Sequence, residues 1–161
     1  MANLTPYRSL PAEQRVDLVK HVISSGREGR AFYIQRLAAK NGFRPTTLQS
    51  WPADKLASEV VRTRAETAQD ELNLLHLLYV EVAPAIQVTF LDAAGVSHEN
   101  GVMKEELEPP YASADAVSKG AEAVKVQHGD DGMRYLRTLA KYSADGWPGI
   151  GDHLDEDLSN A

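Results

Sequence analysis

Cysteine is absent from this chain of 161 residues. Without thiols there can be no disulfide scaffold, no thiolate zinc site, no iron–sulfur cluster and no cysteine nucleophile. Phosphate cradles are missing too: there is no G-x-x-x-x-G-K-[ST], and no G-x-G-x-x-G follows a strand. Gly146-Trp-Pro-Gly-Ile-Gly151 is rich in glycine, but nothing strand-like leads into it, so it reads as a loop. Serine chemistry lacks its usual marks, since neither G-x-S-x-G nor S-x-x-K occurs. Ser97 and His98 are adjacent, which places their side chains poorly for a mutual hydrogen bond. The opening residues, Met1 to Arg8, carry no apolar signal core, and a cytoplasmic address is the expectation.

One run has the length to span a bilayer. Residues 72–91 read LNLLHLLYVEVAPAIQVTFL, interrupted by Asn73, His76, Glu81, Gln87 and Thr89. A carboxylate near a bilayer centre costs about 2.5–3.5 kcal/mol on insertion scales. Acids flank the run (Asp70, Glu71 and Asp92), with no basic cluster to set an orientation. The run therefore reads as a buried core helix, and no membrane is expected.

Hydrophobic residues make up 43% of the chain and charged residues 25%, enough to close a core. The length suits a single helical domain over residues 1–151, followed by an acidic tail over 152–161. A formal net charge of −6 hides an asymmetry. Residues 1–66 hold eleven lysines and arginines against six acids, a net of +5; residues 67–161 hold six against seventeen, a net of −11. A basic N-terminal segment (9–66) that meets something anionic is implied, either the acidic half (67–151), within one chain or between copies, or nucleic acid.

Helix signals recur along the chain and strand signals hardly appear. Pro11 suits a first-turn position, with Ser9 or Leu10 at the cap and Val16, Val19, Val22 and Ile23 on one face. A second helix over 27–41 offers Phe32, Tyr33, Ile34, Leu37 and Ala38 to the core, and Gly42 with Phe43 reads as its C-terminal cap. A short turn of helix follows over 45–49. A third main helix starts after Ser50-Trp51-Pro52 and runs to about Ala65. Thr67 suits the N-cap of the apolar run, with Asp70 and Glu71 at its positive end. Pro84 removes one donor and crowds the carbonyl of Val80, so a kink or a break is expected there. Residues 97–112 read as a loop of sixteen, with a short helical turn around 103–107. Two further helices meet at Gly129, and Trp147-Pro148 is expected to dock back on the body. The fold expected is all-α, with five to seven helices around a central proline-kinked apolar helix.

Candidates for chemistry are sparse. His76 has no second strong ligand three or four places away on its helix, so it reads as a core histidine. Asp17 and His21 read as a surface pair, and His128 as an imidazole at a helix end. His153 with Glu156 and Asp157 has metal-binding spacing, but it falls in the tail. No metal site and no cofactor are expected. Glu81, inside so apolar a segment, must face solvent, pair with an arginine or be held protonated by burial. His98, Glu99, Glu105, Glu106 and Glu108 form the other polar cluster.

Residues 37–51, LAAKNGFRPTTLQSW, resemble the helix-turn-helix pattern of DNA-binding domains. The likeness rests on Ala38, Gly42, Phe43, Leu48 and Trp51, where that pattern packs two helices around a tight turn. It covers fifteen residues and implies that Arg44, Thr46, Gln49 and Ser50 project toward a major groove. Asn41 stands where the pattern is apolar, and Pro52 stops the second helix after about two turns. The functional expectation is a non-enzymatic helical interaction or regulatory protein, with a protein partner or self-association. The alternative is a DNA binder through residues 37–51, and the third is a small enzyme using Glu81, His76 or the His98–Glu99 loop.

Overall fold

Helical spacing and cap chemistry carry through into the computed structural model, which describes residues 4–154. The chain is all-α: 70% helical, with seven helices and a small two-stranded sheet among the described residues. It divides into two compact units, residues 10–74 and residues 1–9 together with 75–161. From Asp155 onward, the expected acidic tail lies outside the described residues.

The first unit holds α1 (Ala12–Ser24), α2 (Arg27–Asn41), α3 (Pro45–Gln49), α4 (Ala53–Thr63) and the first residues of α5 (Ala68–Leu77). Pro11 is the N-cap of α1 itself, one place earlier than the first-turn position read from the sequence. Leu18, Val19 and Ile23 are buried, and α1 packs on both α2 and α4. Only Ser25 and Gly26 separate α1 from α2. Gly29 makes so tight a corner possible: a Cβ there would lie 2.2 Å from the Val22 carbonyl oxygen. Gly42 ends α2 in the left-handed region at φ 72°, where a side chain is penalised. Phe32 departs from its expected core position. It is 38% exposed, and its ring carries the Arg36 guanidinium 4.5 Å from its centroid.

Of the kink or break expected at Pro84, the apolar run through Tyr79 shows the break. After α5 the backbone widens into a π-turn over Leu78–Val82, closed by Ala83 N–H donating to the Leu78 carbonyl at 2.7 Å. Ala83 then leaves helical geometry (φ −134°, ψ 62°), and α6 (Pro84–Ala93) sets off at 79° to the segment before it. The cause is local. A proline ring pushes the preceding residue out of the α region, and Pro84 has no N–H to continue the ladder. The compact units divide within α5, between Leu74 and Leu75. No single helix among the described residues is long and apolar enough to cross a membrane.

In the second unit, α6 packs on α7 (Ala114–Tyr142). Gly129 breaks α7 at φ 53° and ψ −125°, so two helices meet there as the sequence predicts. The corner repeats the device of the first unit, because a Cβ on Gly132 would lie 2.2 Å from the Val124 carbonyl oxygen. Aromatic rings form a chain through this core: Tyr79 to Tyr135 (5.0 Å between centroids), Tyr135 to Phe90 (5.6 Å), Phe90 to Trp147 (5.0 Å) and Trp147 to Tyr111 (5.2 Å). Edge contacts dominate, the arrangement that ring quadrupoles favour. Gly120 leaves space for Phe90, whose ring would be 2.8 Å from any added Cβ. Trp147 is 2% exposed, docked as expected.

The loop expected over 97–112 contains a hairpin instead, β1 (His98–Glu99) paired antiparallel with β2 (Val102–Met103). Asn100 and Gly101 both have positive φ, the requirement of a tight two-residue hairpin turn. Over 103–107 there is a single hydrogen-bonded turn, Leu107 N–H donating to the Lys104 carbonyl at 3.2 Å, and no helix.

Two predictions follow from this packing. Alanine at Gly29 or Gly132 puts a methyl inside van der Waals contact with a backbone oxygen. Each variant is therefore expected to lose about 1–3 kcal/mol in urea unfolding, despite alanine's better helix propensity. Gly26→Ala, with no neighbour within 4 Å of the new methyl, should change stability by less than about 0.5 kcal/mol. Equal behaviour of all three variants would refute the tight corners. The second concerns alkali. Burial pushes Tyr79 up to about 12 and raises Tyr135 further. The neutral forms are favoured on folding, so their contribution is intact below about pH 10 and lost as pH climbs toward 12. Tyrosinate absorbance and circular dichroism should therefore change together in that window for these residues. Ionisation of all six tyrosines near pH 10 with native dichroism would count against the buried ring chain.

Candidate functional site

The most strongly basic stretch is residues 27–51, with Arg27, Arg30, Arg36, Lys40 and Arg44 against the single acid Glu28. It forms α2, the turn at Gly42 and α3. Pro45 opens α3, where its missing N–H costs nothing. Leu48, fully buried, anchors the short helix, and Phe43 meets Trp51 edge-on at 5.3 Å. Lys55 lies 4.1 Å from the centre of the Trp51 ring, holding that side of the turn by a cation–π contact. Arg30 completes the assembly. Its Nη2 donates to the carbonyls of Gln49 (2.8 Å) and Trp51 (2.6 Å), the oxygens left open where α3 ends.

Between α2 and α3 lies a cleft of about 670 Å³ lined by Arg27, Arg30, Ala31, Ile34, Gln35, Pro45 and Gln49. Two guanidinium groups, two amides and three apolar side chains line it, with no carboxylate among them. Such a surface has donors for an anionic group and an apolar floor beneath. Arg27 is exposed, and Arg44, also exposed, immediately precedes the lining Pro45.

Three acids of this unit are buried, while Glu13, Asp17, Glu28 and Asp54 are exposed. Glu66, Asp70 and Glu71 are 5%, 2% and 7% exposed. Thr67 and Asp70 cap α5 reciprocally: the Thr67 hydroxyl accepts the Asp70 N–H at 3.2 Å and the Asp70 carboxylate accepts the Thr67 N–H at 2.9 Å. The same carboxylate takes two bonds from Arg36, at 2.8 and 3.1 Å. Asp70 holds Arg36 still more firmly in its charged form, and Arg36 is sandwiched between this carboxylate and the Phe32 ring. Tyr33 beside them is raised well above its ordinary range, first by burial and then by the Asp70 and Glu66 charges. One arginine of the basic segment is thus consumed within its own unit. Arg27 and Arg44 have no ion-pair partner among the described residues.

The other sequence candidates are scattered. His76 and Glu81 are exposed, so Glu81 is not the buried carboxylate that the sequence allowed, and neither lines the cleft. His98 is engaged at both ring nitrogens: Nδ1 accepts the Gly101 N–H at 2.9 Å, and Nε2 donates to Asp92 at 2.6 Å. This ring locks the hairpin and leaves no lone pair for a substrate proton. Gln87 secures the same turn by donating to the Gly101 carbonyl. Glu99, Glu105, Glu106 and Glu108 are exposed. His128 meets the Thr89 hydroxyl at 3.0 Å. Asp17 and His21 are exposed, and His153 lies in the last 3-10 turn (Ile150–His153), while Glu156 and Asp157 are outside the described residues. Among the described residues, no group of three or more His, Asp and Glu side chains is arranged to hold a metal. Arg44, Thr46, Gln49 and Ser50 are all exposed, on or beside a helix of five residues.

Sequence reading did not single out Arg27, Arg30 or Arg36. The charge count located them, but which arginines stay available depends on which acids fold beside them. No family model, no curated protein and no solved structure matches this chain.

Asp70 joins a helix cap to a buried ion pair, so Asp70→Ala is expected to lose about 2–4 kcal/mol in urea unfolding. Arg62→Ala, which removes a surface pair with Glu59, should leave the unfolding midpoint nearly unchanged. Similar losses for the two would show that the Asp70 pair contributes no more than a solvated one.

Proposed function

We propose that this protein is a non-enzymatic helical interaction protein. Its basic α2–α3 face takes an anionic protein segment, and the protein works in the cytoplasm. The observation that carries the reading is the cleft: two arginines over an apolar floor, with no carboxylate in the lining. Its chemistry fits a peptide bearing both carboxylates and an apolar side chain. The dispersal of His76, Glu81 and His98 gives no comparable support to a catalytic reading.

A second reading, DNA binding through Arg44, Thr46, Gln49 and Ser50, draws on their common exposure. It has less to stand on, because α3 is only five residues long and offers little more than one turn to a groove. Fluorescence anisotropy separates the two. A labelled acidic, leucine-containing peptide should bind saturably, and Arg27→Glu should weaken it about tenfold or more, equivalent to about 1.4 kcal/mol. Random duplex DNA should show no comparable binding at the same salt. Tight DNA binding that falls steeply with salt and weakens in Arg44→Ala would instead establish the second reading.

A further inference from the structure

We infer that the occupant of the α2–α3 cleft is the acidic segment 155–158 of a second copy of this chain. The inference rests on the reading of the cleft given above and names what fills it. Residues 155–158 read DEDL, three carboxylates followed by a leucine, with no lysine or arginine. The cleft offers the complement: Arg27 and Arg30 for carboxylates, and Ala31, Ile34 and Pro45 for a leucine side chain. Arg44, exposed and next to Pro45 in sequence, is a further positive charge on the same segment.

Three considerations favour this occupant. The charge is complementary between copies as well as at the cleft, since residues 1–66 carry +5 and residues 67–161 carry −11. The seven residues from 155 to 161 extend to about 24 Å at most, at about 3.4 Å per residue, enough chain for the four residues of the segment to lie along a cleft. Reciprocity strengthens the contact. In a two-fold dimer each copy gives its segment and receives the other's, so one weak docking is made twice.

Sedimentation of the full-length chain tests the assignment. At low salt a concentration-dependent dimer is expected, shifting to monomer as salt screens the contact. The variant Asp155→Asn/Glu156→Gln/Asp157→Asn and the variant Leu158→Ala should each sediment as monomer under the dimeric conditions. Circular dichroism would verify that folding is intact in both variants. A labelled peptide of residues 151–161 should bind the triple variant, and adding Arg27→Glu should weaken that binding about tenfold. A full-length chain that stays monomeric at every salt concentration overturns the inference. If an unrelated acidic peptide binds through Arg27 while the 151–161 peptide does not, the cleft reading stands and this occupant falls. If neither peptide binds, both fall together.

Discussion

Two backbone carbonyls govern how this chain turns. The oxygens of Val22 and Val124 lie so close to the following helix that no residue with a Cβ fits opposite them. Gly29 and Gly132 answer that constraint, each three residues beyond another glycine, Gly26 or Gly129, at which the chain changes direction. Removing the side chain lets two helices cross almost backbone to backbone, so a two-residue connection suffices between α1 and α2. The same positions would favour alanine on helix propensity alone. Steric exclusion at 2.2 Å outweighs a preference of about 1 kcal/mol.

The corners have a consequence for charge. With α2 held close against α1, Arg36 reaches Asp70 at the start of α5 and binds it through both guanidinium nitrogens. The carboxylate also caps its helix, so burial leaves it neither unpaired nor short of donors. On the other side of the same helix system, Arg30 closes the end of α3 and lines the cleft. An arginine used for structure and arginines open to a ligand therefore differ in neighbours and not in kind. The net charge of a segment says only how many there are.

Much of the helical plan was readable in the residues. The boundaries of α2 follow from Gly26 and Gly42, that of α5 from Thr67, and the break in α7 from Gly129, because capping and positive φ are local demands. Pro84 announced an interruption, although not its size; the pre-proline restriction on Ala83 and the π-turn before it produced a 79° bend. The hairpin at His98–Met103 was missed, since two-residue strands leave no periodicity to read. Asn100-Gly101 was its one local signal. Phe32 was misplaced because helical spacing marks an apolar stripe and not its edge, where Arg36 covers the ring.

The candidate site was legible only in outline. Arg44, Thr46, Gln49 and Ser50 could be picked out by their likeness to a known pattern, and they are exposed. Arg27 and Arg30 could not, because a cleft exists only once α3 folds back on α2. By itself, the sequence determined the all-α class, the caps, the turning glycines and the charge of each half, for these depend on neighbours within about four residues. Tertiary structure decided which acids are buried, that Asp70 takes Arg36, and where an apolar floor meets Arg27 and Arg30. Those outcomes depend on contacts between residues as far apart as Arg36 and Asp70, which no local rule encodes.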